Sequence, residues 1–248
     1  MTDKTRRQGR IIGVGLGPGA IDLLSVRADR LLRDATHIAY FRKQGAAGRA
    51  RTLVAPIIDE TAPDEYAMEY PVTTEIPLSD PRYNQLLSEF YDSCTGHIAS
   101  LSNAGHDVII LCEGDPFFYG SFMHLFTRLQ ADYPVEVVPG ITGMSAAWTA
   151  TGLPMTWGDD VMTVLMGTMD ITKMRDALAI ADAVVIMKIG RHFKKIAGLL
   201  EETGLASRAY IVCYAAMADE TIYRLSDYSE DRLPYFSIIV IHGQGRRP

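Results

Sequence analysis

Asp107-Val108-Ile109-Ile110-Leu111-Cys112 runs directly into Glu113-Gly114-Asp115-Pro116-Phe117-Phe118-Tyr119-Gly120. The first six residues form a short, nearly continuous apolar run, the pattern of a parallel strand buried on both faces. The next eight form a loop with two glycines that permit close backbone approach and a proline that stiffens the turn. Open α/β sheets take their ligands at the carboxyl ends of such strands. Three adjacent aromatics on a loop either fold back into the core or are covered by something flat and apolar.

Working outward, strand and helix alternate along the whole chain. Strands are expected at residues 10–14, 37–41 and 107–112, with helices at 21–33, 81–101 and 121–130. The first helix carries Leu23, Leu24, Ala28, Leu31 and Leu32 on its apolar side, and the second starts with Ser79 or Asp80 as its cap. Pro56, Pro63, Pro71, Pro77 and Pro81 predict turns and short extended pieces over 56–81. Beyond Tyr133-Pro134, which reads as a linker, helices are expected at 142–151, 170–180 and 191–202. Strands are expected at 161–166, 183–187, 209–214, 221–225 and 235–242. The fold class is therefore α/β in two domains, residues 1–131 and 132–248. Each is expected to be a sheet flanked by helices, with a cleft between them.

The 248 residues suffice for two small domains with ample core, and a net charge of −6 describes an ordinary soluble protein. That charge is uneven: residues 1–51 hold eleven Lys and Arg against four acids. Such a segment on an acidic protein suits a small polyanion better than a nucleic-acid backbone. Arg42, Lys43, Arg49 and Arg51 are its candidate anchors. Cys94, Cys112 and Cys213 are odd in number and widely spaced, so a reducing, cytoplasmic compartment is expected. Six histidines form no metal-ligand spacing, and no metal site is predicted. No signal-peptide core precedes the first strand, and no apolar run is long enough to span a membrane.

Two more loops carry chemical signals. Gly13-Val14-Gly15-Leu16-Gly17-Pro18-Gly19-Ala20 satisfies G-x-G-x-x-A, the dinucleotide-binding spacing. The acid expected about 20 residues later is replaced by Tyr40-Phe41-Arg42-Lys43, in which Arg42 could face the 2′-phosphate of NADP. An NADP-dependent oxidoreductase, or a non-catalytic nucleotide-binding module, thus stays open, although Pro18 removes an N–H that would cradle a pyrophosphate. Pro139-Gly140-Ile141-Thr142-Gly143-Met144-Ser145 again links a strand to a helix, and Thr142 and Gly143 stand where helix-start N–H groups can bind a ligand. Met187 and Lys188 end another buried strand.

Taken in order, Gly13 to Gly19 with Leu23-Leu24, Glu113 to Gly120, and Pro139-Gly140-Ile141-Thr142 resemble the tetrapyrrole methylase family over about residues 10–243. Within that family the octapeptide with Ser121-Phe122-Met123, together with Tyr40-Phe41-Arg42-Lys43, looks most like the branch that methylates carbon 20 of precorrin-2. The resemblance implies an S-adenosylmethionine-dependent C-methyltransferase of cobalamin biosynthesis that releases S-adenosylhomocysteine and works as a homodimer. It implies cofactor contacts at Pro18, Glu113, Gly114, Asp115, Phe118, Thr142, Gly143, Met187, Ala216 and His242. Glu113 departs from the first glycine of the family's Gly-Gly-Asp loop. Gly15, Gly17, Arg42, Lys43, Arg49, Arg51 and Tyr119 would face the tetrapyrrole, whose eight carboxylates suit the basic residues. Asp115, Glu113 and Tyr119 all stand near the place where a base could act, and the sequence does not choose among them. Other readings are the cobalt-bearing substrate of the anaerobic pathway and a diphthamide-forming or ribosomal-RNA methyltransferase; the acidic charge argues against RNA.

Overall fold

In a computed structural model, the described residues are 7–72 and 80–245. Pro77 and the alternative cap Ser79 lie outside them, as do Lys4 and Arg6 of the basic segment. The chain forms two compact units, Met1–Thr142 and Gly143–Pro248.

The first unit is built on a five-stranded parallel sheet of order β3-β2-β4-β1-β5. Its strands are β1 (Ile11–Gly15), β2 (His37–Lys43), β3 (Asp64–Tyr70), β4 (Val108–Cys112) and β5 (Val135–Val138). β1 and β4 are buried at every position, as their unbroken apolar runs require of strands covered on both faces. One face packs under α1 (Val26–Arg33) and α2 (Arg49–Ile58) through Ala28, Leu32, Val54 and Ile58. The other packs under α3 (Pro81–Asn103) and α4 (Phe122–Leu129) through Tyr91, Ile98, Phe122 and Leu125.

Three expectations need correction here. The domain boundary is not at Tyr133-Pro134, because β5 pairs with β1 and the Ile11 N–H donates to the Pro134 carbonyl at 3.0 Å. The proline-rich stretch hides a regular helix and strand. In α2, Ala50, Val54, Ile57 and Ile58 recur at helical spacing and are buried, with Pro56 inside the last turn. Burying Val54, Ile57 and Ile58 at about 1.5–3 kcal/mol each outweighs a proline cost of about 3 kcal/mol. β3 then pairs with β2 along all seven residues. Finally, the first helix begins at Val26 rather than at residue 21. Residues 21–23 make a separate short turn, and the Ser25 hydroxyl caps α1 by accepting from the Ala28 N–H at 3.1 Å.

The second unit holds a mixed sheet of order β6-β7-β10-β8-β9. Its strands are β6 (Met162–Met166), β7 (Ala183–Met187), β8 (Ala209–Cys213), β9 (Thr221–Arg224) and β10 (Ser237–Ile241). β6 and β7 are parallel, and β10 runs antiparallel to both β7 and β8. One face packs against α6 (Ile171–Ala179) and α7 (Phe193–Glu202), the other against α5 (Gly143–Ala150). Asp170 caps α6 by accepting from the N–H groups of Thr172 and Lys173.

Candidate active site

At the carboxyl edge of the first sheet, three loops are knotted together through glycine backbone. Gly17 and Gly114 exchange hydrogen bonds, N–H to carbonyl, at 3.2 and 2.8 Å, and the Leu16 N–H donates to the Cys112 carbonyl at 2.9 Å. A Cβ on Gly140 would stand 2.1 Å from the Gly114 carbonyl oxygen, and one on Gly15 would stand 2.4 Å from the Gly140 nitrogen. Only glycine allows these strand ends to close to that distance. Asp115 adds the last stitch: one carboxylate oxygen accepts from the Phe117 N–H at 2.8 Å and the other from the Gly140 N–H at 3.0 Å.

This arrangement excludes the dinucleotide reading. The Leu16 and Gly17 N–H groups that would cradle a pyrophosphate are already bonded to β4 and its loop. The loop also does not open a helix, since α1 starts only at Val26. Gly15 and Gly17 are likewise poor ligand contacts, because Gly15 is closed against the Gly140 and Gly114 backbone and both polar groups of Gly17 are bonded to Gly114. Their glycine identity answers to loop closure.

The three aromatics divide. Phe117 leans on Phe126, with ring centroids 4.7 Å apart in an edge contact, but stays 46% exposed. Phe118 and Tyr119 pair edge to face at 4.8 Å, and Tyr119 is exposed on a left-handed backbone with φ 54°. Pro18 is buried. The far end of the loop is anchored by a hydrogen bond between the Ser121 and Tyr70 hydroxyls, in which the buried Tyr91 phenol also takes part. Neither Tyr70 nor Tyr91 carried a sequence signal; only the topology that lays β3 and α3 beside α4 brings them there.

The basic candidates separate as well. Arg42 donates from Nε and Nη2 to Glu69 at 2.9 and 2.6 Å, across the β2–β3 pair. Arg51 turns away from the carboxyl edge: its guanidinium lies between Asp59 at 2.7 Å and Glu65 at 2.8 Å, and Glu65 pairs with Ile38 near the start of β2. Arg51 is therefore a structural ion-pair residue. Arg10 pairs with Asp107 and Glu136, Arg27 with Glu136, and Arg33 with Asp29, so much of the basic segment is balanced by acids within its own unit. Lys43 ends β2 and Arg49 opens α2, both at the loop edge. Arg49 is also the cation that acts on Glu113. Glu113 is exposed at its surface, yet the protein packed around it desolvates the carboxyl enough to push it above the ordinary range, and Arg49 partly offsets this.

In the second unit, the carboxyl ends of β7 and β8 share an edge with the amino ends of β10 and α5. A Cβ on Gly143 would be 3.6 Å from Ile238, which pairs with Val212. Met144, Met187 and Ala216 pack against one apolar cluster containing Ala215, Val212 and Ile238. Three residues just past these strand ends have left-handed backbones without being glycine: Lys188 (φ 53°), Tyr214 (φ 55°) and Ala216 (φ 58°). The Ala216 N–H donates to Glu220 at 2.7 Å and the Tyr214 N–H to the Phe236 carbonyl at 2.7 Å. Apolar methionine and alanine surfaces beside backbone polar groups suit a flat, apolar ring with hydrogen-bonding edges, so these residues fit an adenosyl group.

His242 does not join them. β10 is antiparallel to its neighbours, so its carboxyl end lies at the opposite edge of the sheet from Met187 and Ala216. There His242 is buried, with Nε2 2.9 Å from the Thr151 hydroxyl and Nδ1 3.1 Å from the Pro154 carbonyl. It fastens the end of α5 to the sheet, and Thr142 and Gly143 stand at the other end of that helix.

Comparison with known proteins agrees with this architecture. A profile of the Tetrapyrrole (Corrin/Porphyrin) Methylases matches residues 10–227. The chain is 43% identical to a Precorrin-2 C(20)-methyltransferase of Sinorhizobium sp, over 97% of this chain and 98% of that protein. It is 26% identical to the Cobalt-precorrin-2 C(20)-methyltransferase of Salmonella typhimurium, over 95% and 97% of the two chains. Its fold is similar to that of a uroporphyrin-III C-methyl transferase from Thermus thermophilus solved with S-adenyl homocysteine, with TM-score 0.65, 23% identity, and 94% and 92% of the two chains covered. The chain belongs to the tetrapyrrole methylase family.

Proposed function

We propose that the protein transfers a methyl group from S-adenosylmethionine to carbon 20 of precorrin-2, the step that gives precorrin-3A in cobalamin biosynthesis. The observation that carries this reading is the 43% identity along nearly the full length of both chains to a protein named for that reaction. The cobalt-named relative, equally well covered, stands at 26%. The metal-free substrate is therefore preferred over its cobalt-bearing counterpart.

The cofactor supplies a methyl already activated as a sulfonium, so the protein's task is to position, desolvate and hold charge. In the first unit the contacts expected for the cofactor are Pro18, the backbone of Glu113, Gly114 and Asp115, the Phe118 ring and Thr142. In the second they are Gly143, Met187 and Ala216. With the Ala216 N–H given to Glu220, its carbonyl and methyl are the parts that serve. Lys43 and Arg49 would meet substrate carboxylates, with Tyr119 against the macrocycle, and Arg42 would contribute charge from its pair with Glu69. The reading includes a homodimer, as expected of this family. It also includes a cytoplasmic location, with which three free, buried cysteines agree.

The test is turnover with labelled S-adenosylmethionine on metal-free precorrin-2 and its cobalt-bearing counterpart side by side, with NMR of the product. Methyl on carbon 20 of the metal-free substrate is the expected result. Preference for the cobalt form would transfer the protein to the other pathway, and methyl on another carbon would overturn the position.

A further inference from the structure

Replacing hydrogen by methyl on a ring carbon has a fixed balance. The carbon–methyl bond forms and the sulfur–methyl bond breaks with its electron pair staying on sulfur. The carbon–hydrogen bond then breaks, its pair returns to the macrocycle, and a proton must go to an acceptor. Resting on the function proposed above, we infer that the Glu113 carboxylate is that acceptor.

Elimination and placement carry the assignment. Asp115 has both oxygens committed to backbone N–H groups, at 2.8 and 3.0 Å, and holding the loops closed is a use it cannot leave. Glu69 is committed to Arg42. Tyr119 is a phenol and accepts a proton poorly at neutral pH. Glu113 follows directly on β4, which lies between β2 and β1 in the sheet, and its neighbour Gly114 is fixed by two hydrogen bonds to Gly17. Its side chain thus projects from a backbone that cannot drift, as a base needs. A carboxylate is also a costly residue at an edge that receives a polyanion, so its presence calls for a chemical use. The charged and titratable groups set against it are Arg49 from α2 and the buried Cys112 thiol of β4, with Asp115 two residues on. Desolvation raises the carboxyl's affinity for a proton, which brings a glutamate closer to the working range of a base near neutral pH.

The test compares wild-type protein with Glu113→Gln and Glu113→Asp. It measures kcat from pH 5 to 9, S-adenosylhomocysteine affinity by calorimetry, and the carboxyl band in infrared difference spectra across the same pH range. Glu113→Gln should lower kcat by about 10²–10³-fold and abolish the rise of rate with pH. Its affinity for S-adenosylhomocysteine should stay within about threefold, and a carboxyl band titrating above the ordinary glutamate range should disappear. Glu113→Asp should keep the rise in rate at a reduced kcat. Turnover of Glu113→Gln within about threefold of wild type would overturn the assignment, as would a loss of cofactor affinity parallel to the loss of rate. If wild-type protein methylates another carbon or the cobalt-bearing macrocycle, the substrate reading fails instead. The same comparison of variants, made on that product, still decides the role of Glu113.

Discussion

The two units solve the same problem at the same sheet edge by opposite means. In the first, strand ends are brought together by residues with no side chain: Gly15, Gly17, Gly114 and Gly140 let three loops touch backbone to backbone. In the second, the chain turns at Lys188, Tyr214 and Ala216, which have side chains yet hold left-handed conformations. The first edge is rigid because nothing else fits. The second is held in strained conformations by hydrogen bonds such as that from the Ala216 N–H to Glu220. Exchanging glycine and alanine should therefore have opposite signs at Gly140 and at Ala216.

The largest effect is expected for Gly140→Ala. Its methyl would stand 2.1 Å from the Gly114 carbonyl oxygen and 2.9 Å from the Gly15 backbone, and none of those atoms belongs to a flexible side chain. The loops would have to part, breaking the Gly17–Gly114 bonds and the Asp115 stitch. A loss of about 3 kcal/mol or more is expected by urea unfolding, followed with a probe in the first unit. A loss below about 1 kcal/mol would show that the knot is loose and that close backbone contact does not hold the first edge.

The octapeptide and its strand are legible in the sequence, the strand from its unbroken apolar run and the loop from glycines that permit close approach; the knot is not, because Gly15 and Gly17 read equally well as ligand contacts. Other features were not. α2 and β3 were masked by prolines, although Ala50, Val54, Ile57 and Ile58 already showed the helical period that burial then enforced. Arg51 and Arg42 read as anchors because their acidic partners, Asp59, Glu65 and Glu69, meet them only through the pairing of β3 with β2. His242 was assigned to the wrong edge because strand direction is not written in a strand's composition, and β10 is antiparallel to β7 and β8. Left-handed alanine, lysine and tyrosine leave no mark in a sequence at all, so the second unit's edge was found only through Met187 and Ala216 by resemblance.

A middle-sized effect is expected for Asp115, the one side chain that works inside the glycine knot. Asp115→Ala removes two charge-assisted acceptors and leaves the Phe117 and Gly140 N–H groups to find water, at a cost of about 2 kcal/mol. Asp115→Asn keeps one acceptor oxygen and should lose about half as much. Equal losses in the two variants would mean that the acceptor oxygen kept by asparagine contributes nothing, whereas wild-type stability in both would mean that the loop is held by glycine packing alone.

The smallest effect sharpens the comparison most, because its sign reverses. Ala216 pays for a left-handed backbone, about 1–2 kcal/mol for an L-residue, with nothing larger than a methyl to confuse the measurement. Ala216→Gly removes that strain but frees the unfolded chain, which returns about 0.4–1 kcal/mol, and it gives up a little apolar contact. The net expectation is a gain of about 0.5 kcal/mol. Ala216→Val, β-branched at positive φ, should lose more than about 1 kcal/mol. If Ala216→Gly is instead destabilised by more than about 1 kcal/mol, the methyl's packing outweighs the strain and the second edge is no more strained than the first. Calorimetry with S-adenosylhomocysteine on the same variant asks what the strain is for. A more stable protein that binds more weakly would mean that the left-handed turn is kept for the ligand, whereas unchanged binding would leave it a property of the fold.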